Sequence, residues 1–193
     1  MNEMKLEADF YFNPDVVLTA KLLIGKVLFS KKDGELTAGV ITETEAYRGI
    51  EDRASHAFSG RKTVRTEVMY RSGGTAYVYL CYGIHSLFNV VSNLEGIPHA
   101  VLIRAIEPFM GEDIMLKRRD ALQIHKNLFN GPGKVCEAMG IHHSQSGISL
   151  FGNELWIEDK GITYPNEQIK VTPRIGVEYA GKDALLPYRF VVR

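Results

Sequence analysis

The chain has 193 residues, of which 45% are hydrophobic and 24% charged. This composition supports one packed core and excludes a disordered chain. No apolar run reaches the roughly 18–20 residues of a membrane span, and the start, "MNEMKLEADFYFNPD", has charges where a secretory signal has its apolar stretch, so a cytoplasmic protein is expected. Twenty-three basic side chains balance twenty-three acidic ones, which taken alone argues against a strongly nucleic-acid-binding surface.

In chain order, "NPDVVLTAKLLIG" reads as a helix, with Asn13 as N-cap, Pro14 in the first turn and Gly25 beyond its end. "KVLFS" and "AGVITETEAY" read as strands joined by a turn at Lys32–Gly34. Residues 48–62 form a glycine- and charge-rich loop, and "TVRTEVMYR" a short helix or turn. "GGTAYVYLCYG" is β-branched and aromatic between glycines, the pattern of a strand. "SLFNVVSN" and "HAVLIRAIEP" follow as buried strands. "GEDIMLKRRDALQIHK" reads as a helix with apolar Ile114, Met115, Leu116, Ala121 and Leu122, and "GPGKVCEAMGI" as a second, opened by Pro132 and closed by Gly140. "ELWIED", "QIKV" and "YRFVVR" close the chain as strands. The fold class is α+β: a single domain over 1–193, with a curved, mostly antiparallel sheet flanked by helices.

Cys81 and Cys136 lack any CxxC spacing, and the six histidines offer no chelating pair, so neither a disulfide nor a metal or other cofactor is expected. Arg48, Arg53, Arg61, Lys62, Arg65 and Arg71 outnumber Glu51, Asp52 and Glu67 between positions 48 and 71; by charge alone this is a solvated face.

The anomaly is "ITETEAYRG". Side chains alternate along a strand, so Ile41, Glu43, Glu45 and Tyr47 share one face, and Thr42, Thr44 and Ala46 the other. This is either an exposed edge strand with solvated acids or one wall of a site that holds a flat ligand and activates a water. Alternation does not choose between Glu43 and Glu45. Tyr77, Tyr79 and Cys81 share a face of the next strand, and Tyr82, before Gly83, falls at its tip as a rim residue or a wedge between bases. Asn89 and Arg104 lie inside apolar strands; a buried amide needs partners and a buried guanidinium needs a carboxylate such as Glu45.

"ETEAYRGIEDRASHAFSGRKT", "YVYLCYGIHSLFNVV", "AVLIRAIEP", "NGPGKVCEAMGI" and "TPRIGVEYAGKDALLPYRF" occur in that order. Together, from about residue 10 to the C-terminus, they resemble the alkyladenine (3-methyladenine or methylpurine) DNA glycosylase family. The resemblance makes Glu45 the general base and places Arg104 beside the catalytic water. It puts Tyr47, His56 and Tyr79 in the walls of a base pocket and Asn89 at the purine edge. Ile175 would hold the water through its backbone carbonyl. Tyr82 would intercalate where the target nucleotide was, and Arg61 and Arg65 would contact phosphates. The stretch at 63–66 is "TVRT" rather than the family's common "TPRN", and Ile84 stands where methionine is common.

The implied partner is double-stranded DNA carrying a damaged purine, bound by a monomer without cofactors, in the cytoplasm and at the nucleoid in a bacterium. Such a base must be flipped out of the stack before its glycosidic bond can be reached. Departure of the base has an oxocarbenium-like transition state, which an anionic carboxylate assists both as base and as counter-charge. Lys62 and Lys134 read as phosphate or surface residues, so no amine is placed to form a Schiff base, and hydrolysis to an abasic site is expected. Three rivals are a lesion-binding module without chemistry, a phosphate loop at "NGPGKV", and a carbohydrate hydrolase using Glu43 with Glu45. The second lacks the GxxxxGK[ST] spacing.

Overall fold

The strand with the two acids is the spine of the sheet. The computed structural model describes residues 5–125 and 127–193. Residues Val27–Lys32 (β1) and Glu35–Tyr47 (β2) form a hairpin, with Asp33 and Gly34 both at positive φ in a two-residue turn. Such turns match the twist of the strands they join, and Asp-Gly suits them. Ala76–Cys81 (β3), His85–Ser92 (β4) and His99–Met110 (β5) follow as an antiparallel meander. Leu155–Glu158 (β6), Ile169–Thr172 (β7) and Arg189–Val192 (β8) complete an eight-stranded sheet. Its order is β3-β4-β5-β2-β1-β6, with β8 between β2 and β7, and each pairing is antiparallel. The sheet curls into a half-barrel, as the α+β expectation required.

β2 is not an edge strand. β5 pairs along one side of it; the other side is shared by β1, over Glu35–Val40, and β8, over Glu43–Glu45. Two register shifts against β5 fall at the changeover, one between Ile41 and Glu43 and one between Glu43 and Thr44. Thr42 is the extra residue on β2 and Arg104 the extra residue on β5. A bulge reverses the alternation locally. Ile41 therefore packs in the main core with Ala46, away from Glu43, Glu45 and Tyr47, against the simple period-two expectation. The Arg104 carbonyl accepts from the Gly131 amide instead of a strand neighbour.

Helices cover one face. Val16–Leu22 (here α2, after the single turn Ala8–Tyr11, α1) packs on β2, and its Ala20 carbonyl accepts from the Thr44 hydroxyl at 2.8 Å. Its cap is Asp15, not Asn13: Asp15 Oδ1 accepts from the Val17 and Leu18 amides at 2.9 and 3.0 Å. Asn13 caps Asp15 in turn, and Pro14 lies before the helix. Glu112–Arg118 (α3) is shorter than the apolar pattern suggests. Asp120 adopts φ 48, and the Ala121 and Asp120 amides return to the Leu116 and Lys117 carbonyls, closing the helix as a Schellman motif. Leu122 is left fully exposed. Lys126, the end of the expected helix, lies outside the described residues. Pro132–Met139 (α4) packs on β4 and β5 and ends at Gly140, φ 68, as its sequence implied.

Candidate active site

The face of the sheet away from these helices holds a cavity of about 420 Å³. Tyr47, His56, Arg65, Tyr79, Tyr82, Asn89, Arg104 and Ile175 all line it, together with Met69, Tyr77 and Tyr179. Residues from 47 to 179 thus meet in one hollow. Glu45 forms no part of the lining; it is buried behind Tyr47, Arg104 and Ile175. Arg61 lies outside it, its carbonyl taken by Thr66 and Tyr70.

Both acids are buried, which removes the reading of solvated carboxylates on an edge. Their partners separate them as alternation did not. Glu43 Oε1 accepts from Arg104 Nε at 2.9 Å and from Arg189 Nε at 2.6 Å. Two cations thus share one Glu43 oxygen. Glu45 Oε1 accepts from the Ile175 amide at 2.8 Å; Oε2 accepts from the Tyr47 hydroxyl at 2.9 Å and from Arg104 Nη1 at 3.4 Å. A carboxylate has about four acceptor sites, and these three donors leave one unused. Burial, the largest influence, pushes the Glu45 carboxyl above its ordinary pKa. Arg104, the Ile175 amide and the Tyr47 hydroxyl pull it back, and Glu43 adds to the rise. Arg104 is closer to Glu43 than to Glu45, whereas the sequence suggested Glu45 as its partner.

The walls are aromatic. The His56 and Tyr79 ring centroids lie 4.6 Å apart at 76°, and Tyr77 and Tyr79 5.4 Å apart at 30°. His56 Nδ1 meets the Tyr77 hydroxyl at 2.9 Å. Burial, then the charges of Arg65 and Arg61, lower the His56 pKa to about 4, so the ring is neutral near pH 7. Asn89 is buried, and its Nδ2 donates to the Tyr77 and Leu87 carbonyls at 3.1 and 3.4 Å. Its donor is thus spent on the backbone, and Oδ1 is the group left to face the cavity.

At the mouth, Tyr82 and Gly83 are the central residues of the β3–β4 turn, both at positive φ, and the Ile84 amide returns to the Cys81 carbonyl. A bulky residue in the left-handed region is an outlier, with strain of about 1–3 kcal/mol. This backbone holds the Tyr82 ring out in solvent, 92% exposed.

A model of the methylpurine-DNA glycosylase family matches residues 9–193. The chain belongs to this family. It is 48% identical over 188 residues to a Chlamydia abortus protein, covering 97% of each chain, and 47% identical over 188 residues to one from Chlamydia felis, covering 97% of this chain and 95% of the relative. A Clostridium acetobutylicum protein is 44% identical over 199 residues, covering 98% of this chain and 95% of the relative; all three bear the name "Putative 3-methyladenine DNA glycosylase". The protein is thus a DNA glycosylase, an enzyme that hydrolyses the N-glycosidic bond, and DNA is its substrate. Among the described residues no helix is long and apolar enough to cross a membrane.

Sequence reasoning missed several residues around this glycosylase's candidate site. Arg189 reaches Glu43 from β8, and the Ile175 amide, rather than its carbonyl, makes the visible contact to Glu45. Arg174 and Asp52 form a buried pair behind Tyr47. The arginine in "TPRIG" was the available signal, since a guanidinium one residue from a site position needs an acid nearby.

Proposed function

We propose that the protein excises damaged purines, of the 3-methyladenine, 7-methylguanine, hypoxanthine and ethenoadenine type, from duplex DNA as a monomer, leaving an abasic site. The carrying observation is the buried Glu45 carboxylate behind an aromatic-walled cavity, with three donors and one acceptor site to spare. The flipped purine lies among Tyr47, His56 and Tyr79, where stacking is worth about 1–3 kcal/mol per base and tolerates varied rings. A water on the free acceptor site of Glu45 is held by Arg104 and the Ile175 carbonyl. It gives its proton to Glu45 as it attacks the sugar carbon, and the same carboxylate offsets the positive charge growing there. The C1′–N bond breaks as the water attacks: 3-methyladenine and 7-methylguanine are cationic in the nucleotide and depart as neutral bases, whereas hypoxanthine and ethenoadenine are neutral and take up a proton on departure.

Tyr82 fills the gap left in the stack, and Arg61 and Arg65 grip phosphates at the cavity mouth. Asn89 crowds the 2-amino group of guanine, sterically and not by polar repulsion, since Oδ1 is an acceptor; 7-methylguanine carries the same group and is released because its cationic ring is the better leaving group. We infer that it acts in the cytoplasm, at the nucleoid in a bacterium, where chromosomal DNA lies.

The test is single-turnover incubation with duplexes carrying hypoxanthine, ethenoadenine or 3-methyladenine, following free base and abasic sites separately. Free base with an intact abasic strand, and no covalent adduct on borohydride reduction, is expected. Lesion binding without base release overturns the reading; a trapped Schiff base overturns the hydrolytic mechanism.

A further inference from the structure

Arg174 has a buried side chain and bonds three separate stretches of chain. Its Nη1 donates to the Ala46 carbonyl at 2.9 Å and to Asp52 Oδ2 at 2.5 Å; its Nη2 donates to Asp52 Oδ1 at 2.9 Å and to the Asp183 carbonyl at 3.0 Å. The guanidinium carbon lies 4.8 Å from the Tyr47 ring centroid and 5.3 Å from that of Tyr188. Asp52 also accepts from the Arg48 and Ala54 amides, each at 3.0 Å.

We propose that the Arg174–Asp52 pair is the positioning device for Glu45, holding two of its three donors, the Ile175 amide and the Tyr47 hydroxyl, at bonding distance. This rests on the reading of Glu45 as the base. Arg174 precedes Ile175, and the carbonyl it grips belongs to Ala46, between Glu45 and Tyr47. Stacking on the Tyr47 ring fixes the direction of its hydroxyl. Through the Ala54 amide, Asp52 pins the loop that brings His56 to the cavity.

A buried ion pair is a weak argument for stability, because desolvation offsets most of the attraction. What it offers here is a rigid planar fork that ties three segments together. Bonds from the Ile175 amide and the Tyr47 hydroxyl favour the ionised carboxylate, so loosening them favours the protonated form, which is no base. Glu45 also faces Glu43 on β2, Tyr79 on β3, Arg104 on β5, Arg189 on β8 and Tyr179 beyond Ile175; none of these touches Arg174 by a hydrogen bond.

The decisive variant is Arg174→Lys, which keeps the charge and loses the fork. Single-turnover release of hypoxanthine is measured against pH for wild type, Arg174→Lys, Asp52→Asn and Glu45→Gln, with lesion-duplex binding and near-UV circular dichroism alongside. Asp52→Asn keeps the shape of the acid and carries the test if the lysine variant does not fold. Expected are a rate at neutral pH lowered about tenfold in both, as for a weakened bond to a charged group, and an acid limb moved to higher pH in Arg174→Lys; in Asp52→Asn the lost negative charge leaves Arg174 uncompensated near Glu45 and opposes that move. Lesion binding stays within about threefold, less than one such bond. A merely structural role lowers the active fraction and leaves the limb in place. Full rescue by lysine, or an unmoved limb in folded Arg174→Lys, overturns the proposal while Glu45 stands as base; if only Asp52→Asn folds, a neutral-pH rate within about threefold of wild type overturns it. If Glu45→Gln releases base at the wild-type rate, the base assignment fails and the proposal falls with it.

Discussion

Replacing Glu45 by Gln alters hydrogen-bonding sense at a single atom, and the structure indicates which contacts suffer. Oε1 takes the Ile175 amide at 2.8 Å, and Oε2 takes the Tyr47 hydroxyl at 2.9 Å and Arg104 at 3.4 Å. An amide keeps one oxygen, so its NH₂ must face one of these donors. Facing Ile175 is the worse choice, because a backbone N–H cannot turn. Facing Tyr47 is tolerable: the hydroxyl rotates to accept, and Arg104 retains Glu43 at 2.9 Å. The packing cost is therefore about 1–3 kcal/mol, the range for one buried group left badly paired.

The chemical loss is larger. General-base catalysis contributes about 10²–10⁴, and counter-charge at a developing ion about 10²–10³. One carboxylate supplies both here, so the two overlap, and a fall of at least about 10³ in single-turnover base release is expected. Lesion-duplex binding should stay within about threefold, since no wall residue is touched. The stability difference has a sign as well. The Glu45 pKa is raised in the fold, so its neutral form contributes stability that is present at low pH and lost as pH rises through the folded pKa. Urea unfolding should show wild type losing ground to Glu45→Gln between acid and neutral pH. A variant that still releases base within about tenfold of wild type refutes the general-base argument.

Glu43→Gln removes the acid that neutralises Arg104 and Arg189; of the three Glu45 donors it disturbs only Arg104 and leaves the Ile175 amide and the Tyr47 hydroxyl in place. It should keep base release within about tenfold and lose about 1–3 kcal/mol in urea unfolding; inactivation equal to that of Glu45→Gln would show that the two acids act together. Wild-type base release should rise with pH through a limb above the ordinary glutamate range, because burial raises the Glu45 pKa and only the ionised form accepts a proton. His56, held at about 4, should add no second limb near neutrality, which a His56→Gln profile checks. Tyr82→Gly relieves the positive-φ strain and should stabilise the fold by about 1 kcal/mol, while slowing excision by loss of the wedge; excision at the wild-type rate would remove that role. Arg61→Ala and Arg65→Ala should each lower the slope of log affinity against log salt by about 1, and an unchanged slope means no phosphate contact.

Much of this protein was legible in one dimension. Strand content followed from runs such as "AYVYLC" and "AVLIRAI", because β-branched and aromatic side chains suit a pleated surface whatever surrounds them. Asp33-Gly34 specified its own turn, and Gly140 its helix end, through local sterics alone. The acids of "ETEAY", inside an apolar strand, marked the site. What tertiary structure decided was which acid has which partners. Bulges at Thr42 and Arg104 reversed the alternation and moved Ile41 into the core, an effect of register against β5 that β2 by itself does not encode. α3 stopped early because Asp120 turned left-handed, leaving Leu122 in water despite its place in the apolar pattern. Arg189 and Arg174, more than a hundred positions from Glu43 and Asp52, supply the charges that make those carboxylates tolerable when buried. Local propensity acts between neighbours in the chain, and it set the elements; the electrostatics of a buried site acts between neighbours in space, and only the folded sheet brings Glu45, Arg104 and Ile175 together.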